Sequence, residues 1–256
     1  MKTIMLLVTL AVSMTASDHR VHKEILSTTV DGYNVITHIA VGGQWKTSIT
    51  IVNLSEAQPA AFVLNFMGED GSAKAFTFIG VVPSYPLIYG NLKPGGSLVL
   101  ETPFSVGATE IGWAQFDPNL TTGNIGGFAI FTHSSGQEAV VPFESDAVRL
   151  CALAFDNTNG FGMGVAIVNS DGLSHNITVT VRDESGNLIG TEIFTMARST
   201  HSSFLLKDRW PAVTGNRRGT AYFTSDGPGL AVLGLRYNPQ GAFTSVHSLE
   251  IGAHPF

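Results

Sequence analysis

The chain holds one cysteine, Cys151, and that scarcity excludes an internal disulfide. Its neighbours Leu150, Ala152, Leu153, Ala154 and Phe155 are apolar. That is the setting of a small buried hydrophobe, not of a thiolate nucleophile, which needs a cation or histidine beside it. Charge is scarce as well: 13% of residues are charged, against about 25% in an average domain. The net charge is −6 and Arg217-Arg218 is the one adjacent basic pair, so neither nucleic acid nor an acidic membrane surface is expected as partner. Long apolar runs are missing beyond Ile4–Val12, which is far short of the roughly 20 residues that span a bilayer. No stretch of ten residues beyond the N-terminus has a helical period. Disorder is excluded in turn, because it requires low hydrophobicity and hydrophobic residues here reach 44%.

The short apolar run has a different reading. Lys2 precedes it and Ser13-Met14-Thr15-Ala16-Ser17 follows with small residues, the layout of an export signal spanning residues 1–17. A secreted or periplasmic location is therefore expected, with no integral membrane segment once the signal is removed. A polar lead runs on to Tyr33.

What the chain has in abundance is β pattern, and it has it twice. Trp45-Lys46-Thr47-Ser48-Ile49-Thr50-Ile51-Val52-Asn53 returns 116 residues later as Phe161-Gly162-Met163-Gly164-Val165-Ala166-Ile167-Val168-Asn169. An interval of that length is a domain, not a solenoid turn. Apolar and polar residues alternate with period two in Phe62–Phe66 and Ile177–Val181, each followed by a turn cluster, Gly68–Ser72 and Asp183–Asn187. Gly112–Phe116 matches Gly219–Phe223, and Gly126–Phe131 matches Ala231–Arg236. The expectation is an all-β chain of two tandem antiparallel β-sandwich domains, 34–146 and 147–256, of about seven strands each and related by internal duplication. Copy one carries an apparent insertion, Gly80–Pro94, where copy two has Ala197-Arg198-Ser199. It reads as a packed loop or a contact surface.

Chemical motifs are few. His19 and His22 lie in the polar lead, and His38, His133, His175, His201, His247 and His254 show no ligand spacing, so no metal or cofactor is expected. Asp156-Asn157-Thr158-Asn159-Gly160 has the flavour of a calcium loop but too few carboxylates, and reads as an interstrand turn. No nucleophile elbow, phosphate loop or dinucleotide fingerprint occurs. Glu101, Glu110, Glu138, Glu144 and Asp183 show no pairing that marks a glycosidase. Four aromatic residues remain as candidate ligand-binding positions: Tyr85 and Tyr89 in the apparent insertion, Trp113, and Trp210 in a polar loop. Trp45 aligns with Phe161, which points to shared packing.

Gly43-Gln44-Trp45-Lys46-Thr47, Gly126–Phe131, Gln137–Pro142, Phe155–Gly160 and Arg182–Asn187 resemble phrases of uncharacterised secreted proteins of Acidobacteria-type soil bacteria, a resemblance covering most of the mature chain. It implies export and carries no catalytic residue. Each copy is also similar, through a generic strand–turn–strand pattern, to the small β-sandwich of the sensory rhodopsin transducer, which bears on fold alone. The resulting expectation is an exported, non-enzymatic binding or structural module at the cell surface or in the periplasm, with a polysaccharide or an envelope protein as partner. The alternatives are a glycan-acting hydrolase, or a surface protein that self-assembles into a homo-oligomer through open sheet edges.

Overall fold

The structure, a computed structural model, describes residues 33–81, 84–118 and 125–251. The signal segment, the rest of the polar lead to residue 32 and His254 lie outside these residues. Strand accounts for 60% of the described residues and helix for 4%, and the fold is all-β. The first half holds β1 (Asn34–Val41), β2 (Trp45–Asn53), β3 (Ala60–Gly68), β4 (Leu87–Leu92), β5 (Ser97–Glu101), β6 (Glu110–Asp117), β7 (Ile125–His133) and β8 (Glu138–Ser145). The second holds β9 (Leu150–Asp156), β10 (Gly162–Asn169), β11 (His175–Asp183), β12 (Leu188–Met196), β13 (Thr200–Leu205), β14 (Arg218–Ser225), β15 (Leu230–Tyr237), β16 (Phe243–His247) and β17 (Leu249–Glu250). Two single-turn helices, α1 (Leu206–Arg209) and α2 (Pro211–Thr214), follow β13. Among the described residues no helix is long and apolar enough to cross a membrane.

All pairings between these strands are antiparallel. The first half forms one continuous sheet in the order β4-β3-β6-β1-β8-β7-β2-β5. It folds over at β8, whose first part pairs with β7 (Thr132↔Glu138 to Phe128↔Pro142) and whose last residues pair with β1 (Ile36↔Phe143 to Asn34↔Ser145). Pro142 stands at the transfer. The second half forms two sheets, β13-β10-β15-β16 and β12-β11-β14-β9-β17. There the last strand is interrupted at Ser248, so β16 pairs with β15 and β17 with β9.

The arrangement therefore departs from the expected seven strands per copy. The first half contains eight strands and one folded-over sheet, because β8 is long enough to serve both faces. The expected insertion is also displaced. Leu87–Leu92, read as loop, is the edge strand β4, paired with β3 from Asn65↔Leu87 to Ala60↔Leu92. The extra residues lie before it, between Gly68 and Leu87. They carry Phe76 and Phe78, both buried, which pack on Phe66 with ring centroids 5.8 and 5.3 Å away. Apolar residues placed on a loop found a core.

The Ile-Val-Asn phrase common to the two halves has a structural role in each. Asn53 Nδ2 donates to the carbonyls of Gln58, Leu92 and Lys93, and its Oδ1 accepts from the Ser55 amide. Asn169 Nδ2 donates to the carbonyls of Leu173, Met196 and Ala197, and its Oδ1 accepts from the Asp171 amide. Each buried amide thus ties the end of its strand to the following turn and to the chain leaving an edge strand.

One apolar cluster is built wholly from the second half and includes Leu153, Phe155, Val165, Ile167, Val179, Phe223 and Val232. The cluster of the first half, with Ile36, Ile39, Ile49, Phe62, Phe66, Phe116 and Phe131, extends across the boundary to Ala166, Leu233 and Leu235. A third unites Val35, Met67 and Trp113 with Val168 and Ala231. The halves therefore meet through apolar contact. This explains β10, which is buried along its whole length. Val165 and Ile167 face the core of the second half, while Ala166 and Val168 face the first half.

Candidate functional site

The meeting of the halves is imperfect, and a cavity of about 280 Å³ remains between them. Its apolar lining includes Trp45, Ile111, Phe131, Phe204, Leu235 and Tyr237, and its polar groups belong to His38, Thr109 and Ser203. The cause is local. Gly164 and Ala166 turn toward the first half from β10 and leave room that larger side chains would fill. A Cβ on Gly164 would come within 3.1 Å of the Tyr237 ring. Phe243 walls the region from β16, stacking on Phe131 (centroids 5.7 Å, planes 13° apart) and touching Trp45 and Tyr237 at 5.5 and 5.6 Å. Trp45, which aligned with Phe161 as a packing residue, packs against the first-half cluster and also lines the cavity.

His38 reaches this place because β1 is irregular. Ile36 pairs with Ala114 and Ile39 with Gly112, so three steps along β1 match two along β6. The extra residue is a β-bulge. It lets Ile36 and Ile39 both face the core and leaves Thr37 and His38 between them. His38 Nδ1 lies 3.2 Å from His201 Nε2, and its ring meets Phe131 edge-on at 5.5 Å. His201 is held from β13, where its amide donates to the Glu69 carbonyl (3.0 Å). Its Nδ1 is buried without a hydrogen bond, 3.6 Å from a Glu69 carboxylate oxygen. Burial lowers the His38 pKa to about 4. Burial, with His38 adding to it, lowers that of His201 to about 3. Both rings are neutral at pH 7, since desolvation penalises the imidazolium.

Sequence reasoning missed this pair, because the partners are 163 residues apart and no local spacing joins them. The available signal was a polar residue inside an otherwise apolar strand, His38 between Ile36 and Ile39. Of the four aromatic residues singled out, none lines the cavity. Trp113 is fully buried at the contact between halves, its Nε1 donating to the Ser199 carbonyl (3.2 Å). Trp210 is buried too, its Nε1 donating to Glu192 and its ring meeting Phe204 edge-on. Trp113 offers no free face to a ligand, whereas Trp210 lines a separate pocket of about 100 Å³ with Val179, Val181 and Val213. Tyr85 and Tyr89 are 55% and 75% exposed. Tyr89 stands on the outer face of edge strand β4, cross-strand from Val63, which in turn pairs with Asp117; the next rows bring Asn91 beside Ala61 and Asn65 beside Gln115.

Other polar constellations serve the frame. Asp156 Oδ1 accepts from the amide and hydroxyl of Thr158, and Oδ2 meets Arg218 and Arg236 at 3.2 and 3.5 Å. The suspected calcium loop is thus a turn whose carboxylate faces two guanidinium groups. His175 sits between Asp171 (2.6 Å) and Asp226 (3.0 Å). Glu144, buried at the end of β8, lies 3.3 Å from His247 and raises its pKa. Burial and Glu144 together raise that of Glu250. Cys151 is buried, which pushes its thiol up to about 12. Among the described residues no three His, Cys, Asp or Glu side chains converge in a way that could hold a metal ion.

Comparison of the sequence with protein-family models and with curated proteins finds no match. Among solved structures, an anti-sigma factor domain-containing protein aligns over 84% of this chain and 83% of its own, at 9% identity and a TM-score of 0.20.

Proposed function

We propose that this chain is an exported, non-enzymatic binding module, a tandem duplication of one β-sandwich, and that it binds a small, largely apolar molecule in the cavity between its halves. The observation that carries the reading is the cavity itself. It approaches the size range of small-molecule sites and has their usual lining, aromatic walls with a few fixed polar groups. At about 280 Å³ it exceeds the roughly 150 Å³ that suffices for benzene. No carboxyl group lines it, and the two histidines beside it are neutral, so it favours an uncharged ligand over acid–base chemistry on a glycan. Duplication is supported by the sheet orders. Reading β9 to β15 in place of β1 to β7 converts β4-β3-β6-β1 into β12-β11-β14-β9 and β7-β2-β5 into β15-β10-β13. The matching bonds of Asn53 and Asn169 support it further. The domains proposed remain 34–146 and 147–256, with the joint between β8 and β9.

The test is ligand-observed NMR and thermal shift with toluene as probe. Toluene binds the wild type and raises its melting temperature. Ser203→Phe, at an exposed position on the cavity lining, abolishes both effects while the protein stays folded. Binding unaffected by that substitution, or no binding to the wild type, refutes the site. A second reading, a glycan or envelope-protein surface, rests on the exposed Tyr89 ring beside the amide rows of Asn91, Asn65 and Gln115. Aromatic faces stack on sugars and neighbouring amides donate to hydroxyls. Glycan-array binding lost in Tyr85→Ala and Tyr89→Ala would establish that surface, and unchanged binding would remove it.

A further inference from the structure

We infer that His38 presents a hydrogen-bond acceptor to the cavity, so that its ligand is a neutral aromatic molecule bearing an O–H donor, of the phenol class. The inference rests on the cavity being the binding site and goes further by fixing the polarity of its one deep polar contact. The reasoning starts at the surface. Glu69 projects a half-exposed carboxylate toward His201 Nδ1 at 3.6 Å. That separation is too long for a hydrogen bond, and among the described residues this buried nitrogen has no hydrogen-bond partner.

A neutral imidazole carries its proton on one nitrogen and a lone pair on the other. With the proton on Nδ1, His201 turns a positive N–H toward the carboxylate. With the proton on Nε2, it would bury a bare lone pair against a negative charge. The first tautomer wins, and it leaves His201 Nε2 as an acceptor. Across 3.2 Å lies His38 Nδ1, and two facing lone pairs would repel, so His38 must hold its proton there and donate. His38 Nε2 is then bare.

Two observations place that atom at the cavity. His38 is 92% buried by its neighbours, being 8% exposed, yet it lines the cavity. Among the described residues the His38 ring bonds only through Nδ1, and its Nε2 is not among the fully enclosed unpartnered atoms. A buried polar atom without a partner is costly, and a ligand hydroxyl would satisfy it. An ammonium or carboxylate ligand fits less well, because nothing on the lining neutralises it. Aromatic neighbours (Trp45, Phe131, Tyr237) select a ring.

The experiment compares p-cresol, 4-methylanisole and toluene by isothermal titration, and reads the imidazole tautomers by long-range proton–nitrogen NMR. In the wild type p-cresol binds about tenfold more tightly than 4-methylanisole, the worth of one hydrogen bond of about 1.4 kcal/mol. His38 carries its proton on Nδ1. Glu69→Gln, an exposed and mild change, removes the charge that orients the relay, so the preference for p-cresol shrinks severalfold. His38→Phe abolishes the preference while leaving toluene binding. Equal affinity for p-cresol and 4-methylanisole, or a proton on His38 Nε2, overturns the inference and leaves the cavity reading intact. No binding of any of the three overturns the cavity reading instead.

Discussion

Acid should loosen this protein well before its carboxylates protonate, because the two facing histidines cannot accept protons where they lie. In the unfolded chain each imidazole titrates near 6.5. In the folded chain burial holds His38 at about 4 and His201 at about 3. Both folded values are depressed, so below 6.5 the unfolded chain takes up protons that the folded chain refuses, and stability falls as pH drops from 6.5 toward 4. The loss is about 1.4 kcal/mol per pH unit for each ring. Two rings over the two units down to about pH 4.5 come to roughly 5 kcal/mol, comparable with the whole stability of a marginal domain of about 5–15 kcal/mol. His247 works in the opposite sense. Its pKa is raised by Glu144, so protonation below 6.5 favours the folded form, but its side chain is 59% exposed and the effect is correspondingly screened. Asp156 stays out of this window. Its pKa is lowered to about 2, so its stabilisation is present above the ordinary aspartate value and is lost only as pH falls through 2. Urea unfolding followed by tryptophan fluorescence at pH 7 and 4.5 measures the difference. The double variant His38→Gln, His201→Gln should lose most of the dependence. Equal unfolding free energies of the wild type at the two pH values, or a double variant as acid-sensitive as the wild type, would refute the reasoning.

Asn169→Ala removes an amide donating to three carbonyls and should cost about 2–3 kcal/mol, with each buried acceptor left unsatisfied adding to the loss. Asn53→Ala should cost a similar amount, both read by urea midpoint at constant slope. Glu144→Gln takes away the charge that raises the His247 pKa, and an NMR titration should show that histidine moving down toward its ordinary value; no movement would disprove the pairing. Trp113→Phe keeps most of the apolar contact between halves but deletes the bond to Ser199, so a loss of about 1 kcal/mol is expected in thermal unfolding.

Much of the fold was legible because strand periodicity is local. Thr47, Ile49, Ile51 and Asn53 alternate with partly exposed neighbours, and β2 follows that pattern residue by residue. The contact between halves was also written in the sequence, though unread. Where β2 has Lys46, Ser48 and Thr50 on its outer face, the aligned positions of β10 are Gly162, Gly164 and Ala166. Small residues replacing polar ones mark a face that another surface covers. The edge strand β4 was missed because Tyr89 and Gly90, with Pro86 and Pro94 at its flanks, read as loop chemistry, while its stability comes from pairing with β3. Trp113 and Trp210 could not be told from exposed platforms, since a tryptophan in a strand or a polar loop carries no local sign of what packs above it. His38 and His201 were beyond sequence spacing altogether, because the bulge that aims one and the contact between halves that brings the other are tertiary events.

The strand β8 has a mechanical consequence. Its first part is bonded to one face of the first sandwich and its last residues to the other, so those two layers cannot shear apart without rupturing a single continuous ladder. In the second half the corresponding chain is severed at Ser248, leaving β17 with two paired residues on β9. Amide exchange should therefore report β7, β8 and β1 opening as one cooperative unit, whereas β17 peels away early and alone.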